Sequence, residues 1–287
     1  VCGGIVAQHT LNLALKVFPA DAVVLCTGGF ENIYARYAGA STGYAVAQAY
    51  LQGATFANPE FVQFEETKPM WSLGGLWVDD NHQTSIPGLF AAGGCAARYH
   101  GASALMPNVP LAVVHGGECA GASAVEWVQG REVRGHALSA SLVKEAERVQ
   151  EYEQDKFFAM SGYENPHKLK QELGELLQTH AGVTRQQRSL EAALEKIVSL
   201  RDRFWQSGIL DHARWANQEL VFMRQLSREL ELAHILVAAA LKREESRGMH
   251  QRSDHPERND TTWKCLTKVT YDEEKPVFDF RERISDA

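Results

Sequence analysis

The apolar positions of this chain change their period near the middle. Up to about residue 130 they come in short runs cut by Gly or Pro; beyond it they recur every three or four residues. In the first stretch Ala22–Cys26 reads as a buried strand ending at Thr27-Gly28-Gly29, and Leu89–Ala92 as a short strand stopped by Gly93-Gly94. Glu60–Phe64 alternates and predicts a strand, as does Gly75–Val78 ahead of the acidic turn Asp79-Asp80-Asn81. Thr42–Leu51 predicts a helix that stops at Gly53. Leu111–Val128 predicts another, rich in small residues, with Gly117 and Gly121 on one face for close packing. The second stretch predicts helices over 138–160, 166–180, 185–207 and 214–247, with Leu226, Leu230, Ala233, Val237 and Leu241 marking the core side of the last. The tail Thr261–Arg281 alternates weakly and predicts a small hairpin.

Charge sharpens this division. Residues 1–130 hold 4 Lys+Arg and 9 Asp+Glu, whereas residues 131–287 hold 25 and 27; 17 of the 23 glycines lie in the first part. Few charges and many glycines suit a buried sheet with tight turns, and dense charge suits solvated helices packed by one face. The expected organisation is therefore an α/β region at 1–130, a helical domain at 131–260 and a tail at 261–287, with a boundary near Gly130–Gly135. A net charge of −7 argues against a nucleic-acid partner, which needs a Lys/Arg surplus. No apolar run approaches the roughly 20 residues that span a bilayer. Five scattered cysteines (Cys2, Cys26, Cys95, Cys119, Cys265) form no C-x-x-C pair, so neither a disulfide framework nor a metal site is indicated, and a reducing, cytoplasmic setting follows. His212 and His234 lack partners at metal-ligand spacing and read as structural.

The paired glycines carry the candidate chemistry. A strand that ends in Gly-Gly at the carboxyl edge of an α/β sheet lets the backbone approach a nucleotide without an intervening Cβ. Yet no two glycines are separated by a single residue, so the G-x-G-x-x-G fingerprint that brings a helix N-terminus to a pyrophosphate does not occur.

In chain order TGGFENIY (27–34), EFVQF (60–64), SLGGLWVDDNHQTSIPGLFAAG (72–93), HGAS (100–103), Asn108, GGECAG (116–121) and ESRGMHQRSDHPERND (245–260) resemble the flavoprotein subunit of succinate dehydrogenase and fumarate reductase. The wording is nearest the bacterial, menaquinone-linked type, and L-aspartate oxidase is a sister branch with similar motifs. The resemblance implies an FAD-binding Rossmann-like domain, here partial and without the inserted capping domain, followed by an all-α C-terminal domain with a small terminal β element. It implies FAD as cofactor, with contacts at Thr27, Gly28, Gly29, Gly93, Asn108 and Leu111. It further implies an iron–sulfur subunit and a membrane anchor as partners, and a place at the cytoplasmic face of the inner membrane.

Several positions depart from the family pattern. Where the resemblance expects substrate-binding histidines the chain has Glu65 and Met70, and where it expects a carboxylate-clamping arginine it has Ala104. Gly94 replaces the acidic residue of AAGE, Tyr44 and Ala45 stand in the family's TGDG, and Pro110 removes a backbone N–H that the family turns toward the flavin. Lys68 and Pro69 lead straight into the next family block, so the capping domain and its proton-shuttling arginine are missing from this sequence, and no catalytic residue is assigned. Three readings stay open: a divergent succinate–fumarate oxidoreductase, a non-catalytic pseudo-subunit with a structural or assembly role, and an L-aspartate oxidase-like fragment. Missing segments supplied by another chain, or a homo-oligomer covering the apolar surface thus left bare, accompany each. The charged signature Glu245, Ser246, Arg247, Gly248, Arg252, Asp254 and Arg258 is expected to form an ion-pair network, with Gly248 ending the long helix.

Overall fold

The computed structural model describes residues 1–37, 39–130, 140–272 and 275–282. Strands β1 (Gly4–Gln8) and β2 (Leu15–Pro19) form an antiparallel hairpin with Ile5 opposite Phe18. Next come β3 (Val23–Leu25), α1 (Tyr44–Leu51), β4 (Phe56–Ala57), β5 (Val62–Glu65), β6 (Lys68–Ser72), β7 (Gly75–Leu76) and β8 (Leu89–Ala91). The helices α2 (Val109–Gln129), α3 (Ala140–Phe158) and α4 (Pro166–His180) follow, then β9 (Thr184–Arg185), α5 (Gln187–Phe204), α6 (Gln218–Lys242), β10 (Gln251–Arg252), α7 (Asp260–Trp263) and the hairpin β11 (Lys268–Asp272) with β12 (Lys275–Asp279). An α/β first half and a helical second half are thus both present. The expected boundary at Gly130–Gly135 falls mostly on 131–139, outside the described residues.

The strands distribute differently from an open parallel sheet. β3 and β8 pair in parallel, Val23 with Leu89 and Leu25 with Ala91, and stand as a two-stranded unit among the described residues. The largest sheet is antiparallel, in the order β12-β11-β4-β7. Its register, Lys268 with Ala57 and Val269 with Phe56, brings the C-terminal hairpin back onto the first half. Val269 and Phe56 are both fully buried, so apolar burial drives that return. Sequence periodicity foresees the hairpin but not its neighbour, because strand partners distant in the chain leave no local signal.

α6 is the hub. From Leu226 to Ala240 it is buried almost all round, against α1, α3, α4 and α5. Its bounds are narrower than the periodicity suggests, for two local reasons. Asn217 is fully buried and its side chain accepts from Leu220 N at 2.8 Å, an N-cap that starts the helix at 218. At the other end the Arg252 guanidinium donates to the carbonyls of Ala240 and Leu241, taking the acceptors that a further turn would use. Asn217→Ala is expected to lower stability by about 1–2 kcal/mol, read as a drop in urea midpoint at unchanged slope; an unchanged midpoint would show the cap to be unimportant.

α2 also departs from expectation. Gly116 and Ala120 are its buried residues, whereas a Cβ on Gly117 or Gly121 would meet nothing within 4 Å. The face carrying Leu111, Val114 and Val125 is exposed. His234 lies half-buried on α6, where burial pushes its pKa down to about 4, and His212 sits beside the Phe158 ring. No group of three metal-ligating side chains occurs among the described residues.

Candidate functional site

β3 and β8 run in parallel and both open into glycine pairs. Gly28 and Gly93 adopt positive φ of 74° and 73°, turns that favour glycine. The two turns touch: a Cβ on Gly94 would lie 3.1 Å from Gly29 N. The first turns of α2 close the far side with Val109, Ala112, Val113 and Gly117, and a cleft of about 370 Å³ remains between them. Its other walls come from Tyr37, from Met70 and Trp71 on β6, and from Tyr99 and His100.

Gly28, Gly29 and Gly93 therefore border one cleft, as their sequence context suggests. Thr27, Asn108 and Leu111 lie close by in the chain but not along its lining; all three are exposed, Leu111 to 68%. Helical geometry explains the difference at α2, since residues three and four apart share a face and Val109, Ala112 and Val113 take the inner one. Of the three positions that the resemblance links to dicarboxylate binding, Met70 borders the cleft. Glu65 is exposed where β5 ends, and Ala104 is packed against Phe61 and Leu73 with its N–H donated to Gln63 Oε1 at 2.9 Å.

The residue that sequence reading passed over is Glu31. Its side chain borders the cleft with the residue only 3% exposed, and it accepts a hydrogen bond from the Ser72 amide. A Cβ on Gly29 would overlap both Glu31 Oε1 and Ser72 Oγ, so Gly29 is the residue that lets the carboxyl lie against the turn. Burial holds its pKa above the ordinary carboxylate value, with the Ser72 hydrogen bonds opposing. Burial also lowers the His100 pKa below the ordinary imidazole value. His82 is buried beside this wall; its Nδ1–H donates to Ala91 O at 2.7 Å, leaving Nε2 to accept from the Tyr99 hydroxyl. Glu31 lies within the TGGFENIY motif, yet the motif does not mark it as a site residue, because the Ser72 side of the contact is brought in by the β5–β6 hairpin.

These residues fit the ring end of a flavin and not its diphosphate. The volume is near the lower end of the roughly 300–1,000 Å³ of small-molecule pockets, room for one ring system over glycine backbone. No lysine or arginine lies among the described residues bordering it, and Pro110 withholds an N–H from the helix start.

Behind the cleft lies a buried charge cluster. Arg243 is wholly buried and bonds Glu60 Oε1 at 2.7 Å, Glu245 Oε1 at 2.9 Å and Thr267 Oγ1 at 2.8 Å. Arg185 donates to Glu60 O and to His250 Nδ1, both at close range, while His250 Nε2–H donates to Arg243 O at 3.2 Å. Burial and the neighbouring Arg185 hold His250 well below the usual imidazole pKa, consistent with this neutral tautomer. Arg252 pairs with Asp254, and Arg247 bridges Glu245 and Asp260. The expected network is present and lies within the chain. Gly248, however, does not end α6; it sits at φ 54° in the tight turn Arg247–His250. Met249 N donates to Ala102 O at 2.9 Å there, tying the charge cluster to the loop that precedes α2.

The sequence model described as fumarate reductase flavoprotein C-term matches residues 170–285, and that described as FAD binding domain matches residues 66–109. The succinate dehydrogenase flavoprotein subunit of Bacillus subtilis is 28% identical over 396 aligned positions, covering 98% of this chain and 68% of that protein. Because those 396 positions accommodate a chain of 287 residues, the relative carries over a hundred residues with no counterpart here. Fumarate reductase flavoprotein subunits of Haemophilus influenzae and Mycobacterium tuberculosis are 30% and 34% identical over 71% and 69% of this chain, which spans 33% and 34% of their lengths. Among solved structures, an E. coli quinol fumarate reductase superposes with a TM-score of 0.89 at 21% identity, over 99% of this chain and 69% of that one. Adenylylsulfate reductase of Archaeoglobus fulgidus superposes with 0.73 at 15% identity, over 99% and 70%. Both are likenesses of fold, and since they bear the names of different reactions, the fold does not choose the substrate.

Proposed function

We propose that this chain, which is similar to succinate dehydrogenase and fumarate reductase flavoprotein subunits and matches the FAD binding domain model, is a non-catalytic member of that FAD-binding family, a structural or assembly component of a complex II-like enzyme. One observation carries the reading. The positions that the resemblance links to dicarboxylate binding are Glu65, Met70 and Ala104, which offer no cation to a substrate carrying two carboxylates. Losing one partner of a desolvated charge pair costs about 2–5 kcal/mol, and three such partners are replaced. Glu31 adds a carboxyl to the cleft, a further obstacle to an anion.

The surfaces around the cleft support a partner-binding role. The α2 face with Leu111, Val114 and Val125 is exposed and open to a partner. The partner classes that the family suggests are an iron–sulfur subunit and, through it, a membrane anchor, with this chain peripheral on the cytoplasmic face of the membrane. No helix among the described residues is long and apolar enough to cross a membrane itself. The test is turnover: the purified chain, supplied with FAD, succinate and an electron-accepting dye, is expected to show no dye reduction above a protein-free control. Succinate-dependent reduction would overturn the reading in favour of a divergent oxidoreductase, and reduction dependent on L-aspartate would favour the sister branch.

A further inference from the structure

We propose that the cleft selects a flat aromatic molecule that is cationic or donates N–H groups, held by the Glu31 carboxyl, and that it disfavours dicarboxylates and phosphate-bearing ligands. The inference rests on the reading above, that the cleft persists while its dicarboxylate chemistry does not.

Glu31 is placed, not swinging. Its residue is 3% exposed, the Ser72 amide donates to it, and it lies against Gly29 so closely that no side chain fits there. Ser72 Oγ in turn accepts from Phe30 N at 3.3 Å, fixing the far partner. Among the described residues that border the cleft, Glu31 is the one with a carboxyl side chain, and none is lysine or arginine. Two cations adjacent in the chain to lining residues are engaged elsewhere: Arg98 pairs with Asp80, and Arg36 donates to Thr67 Oγ1. A carboxyl in a partly desolvated site without a counter-charge attracts a cation or an N–H donor and repels an anion.

The walls supply the rest of the recognition. Tyr37, Trp71 and Tyr99 border the same space, and aromatic faces favour flat and cationic groups. The glycine turns border the same space as backbone without side chains, over which a ring can lie. A planar amine would thus meet a carboxyl at its edge and aromatic or peptide surface on its faces.

The test uses the intact chain and calorimetric titration with three probes. Proflavine is a tricyclic cation with two amino groups, flavin mononucleotide is a tricycle of similar size bearing a phosphate, and succinate is a dicarboxylate. Proflavine is expected to bind at least tenfold more tightly than flavin mononucleotide, and succinate is expected not to compete. Glu31→Gln should weaken proflavine at least tenfold and narrow the gap between the two tricycles. Ala112→Phe, which fills the cleft from α2, should weaken both. Equal or tighter binding of flavin mononucleotide by the unmodified chain overturns the proposal, whether or not the variants fold. So does proflavine binding that a folded Glu31→Gln or Ala112→Phe leaves unchanged. Either failure leaves the absence of succinate turnover to be judged separately, and turnover would overturn the non-catalytic reading whatever the probe ratio.

Discussion

Arg243→Ala is expected to cost about 3–5 kcal/mol of stability, enough to leave much of the chain unfolded at 25 °C. The guanidinium is the sole bridge between Glu60 and Glu245 among the described contacts, and all three side chains are wholly buried. It also satisfies the carbonyls of Trp263 and Cys265, each at 3.0 Å, and lies 5.0 Å from the centre of the Phe61 ring. Truncation would leave Glu60 buried without its cation and several acceptors without a donor. The penalty comes from stranding those groups, and much less from the pair's own attraction. Adding Glu60→Gln to Arg243→Ala should therefore recover part of the loss, since no charge is then stranded at that position. Urea unfolding at pH 7 measures both. A deficit below about 1 kcal/mol, or no recovery in the double variant, would show that the cluster is not holding the two halves together.

Gly248→Ala is expected to be nearly as damaging, at about 3 kcal/mol from combined backbone strain and overpacking. Position 248 has φ 54°, and a Cβ there would overlap the Ala102 carbonyl oxygen. Relief would require the turn to withdraw and give up the hydrogen bond from Met249 N to Ala102 O. The loop leading into α2 would then loosen, and His100 on the cleft wall belongs to that loop. A lowered melting temperature together with weaker proflavine binding is the expected pair of readings. Gly121→Ala serves as the contrast: the space there is open, so alanine should stabilise the helix by about 0.5–1 kcal/mol. Equal effects at the two positions would refute the assignment of Gly248 to a strained close contact.

The charge signature near the C-terminus was legible as a network because seven charged or capping residues crowd into sixteen positions with little helical periodicity. What that pattern could not show is direction. Arg243, two residues before the signature, is wholly buried at its centre, and its partners Glu60 and Thr267 lie 183 and 24 residues away. Arg185 was likewise invisible: it precedes α5 as an ordinary helix-flanking cation, and only the β9–β10 pairing brings it to His250. The end of α6 is hidden from the periodicity for the same reason, since a carbonyl cap supplied by Arg252 leaves no trace in the helix's own residues.

The amino-acid sequence alone determined the two-part organisation, the strand–glycine turns at 27–29 and 93–94, the four long helices and the resemblance to flavoprotein subunits. Each depends on local period, turn chemistry or motif wording, which are properties of neighbouring residues. Tertiary structure alone decided that those glycine turns meet side by side at one wall of a cleft, that α2 turns Val109, Ala112 and Val113 into it in place of Asn108 and Leu111, and that Glu31 stands at its wall. It also decided that the C-terminal hairpin pairs with β4. These facts concern residues far apart in the chain, brought together by burial, and burial is settled by what the whole chain can exclude from water. The charge of the cleft, and so what it can bind, belongs to this second kind.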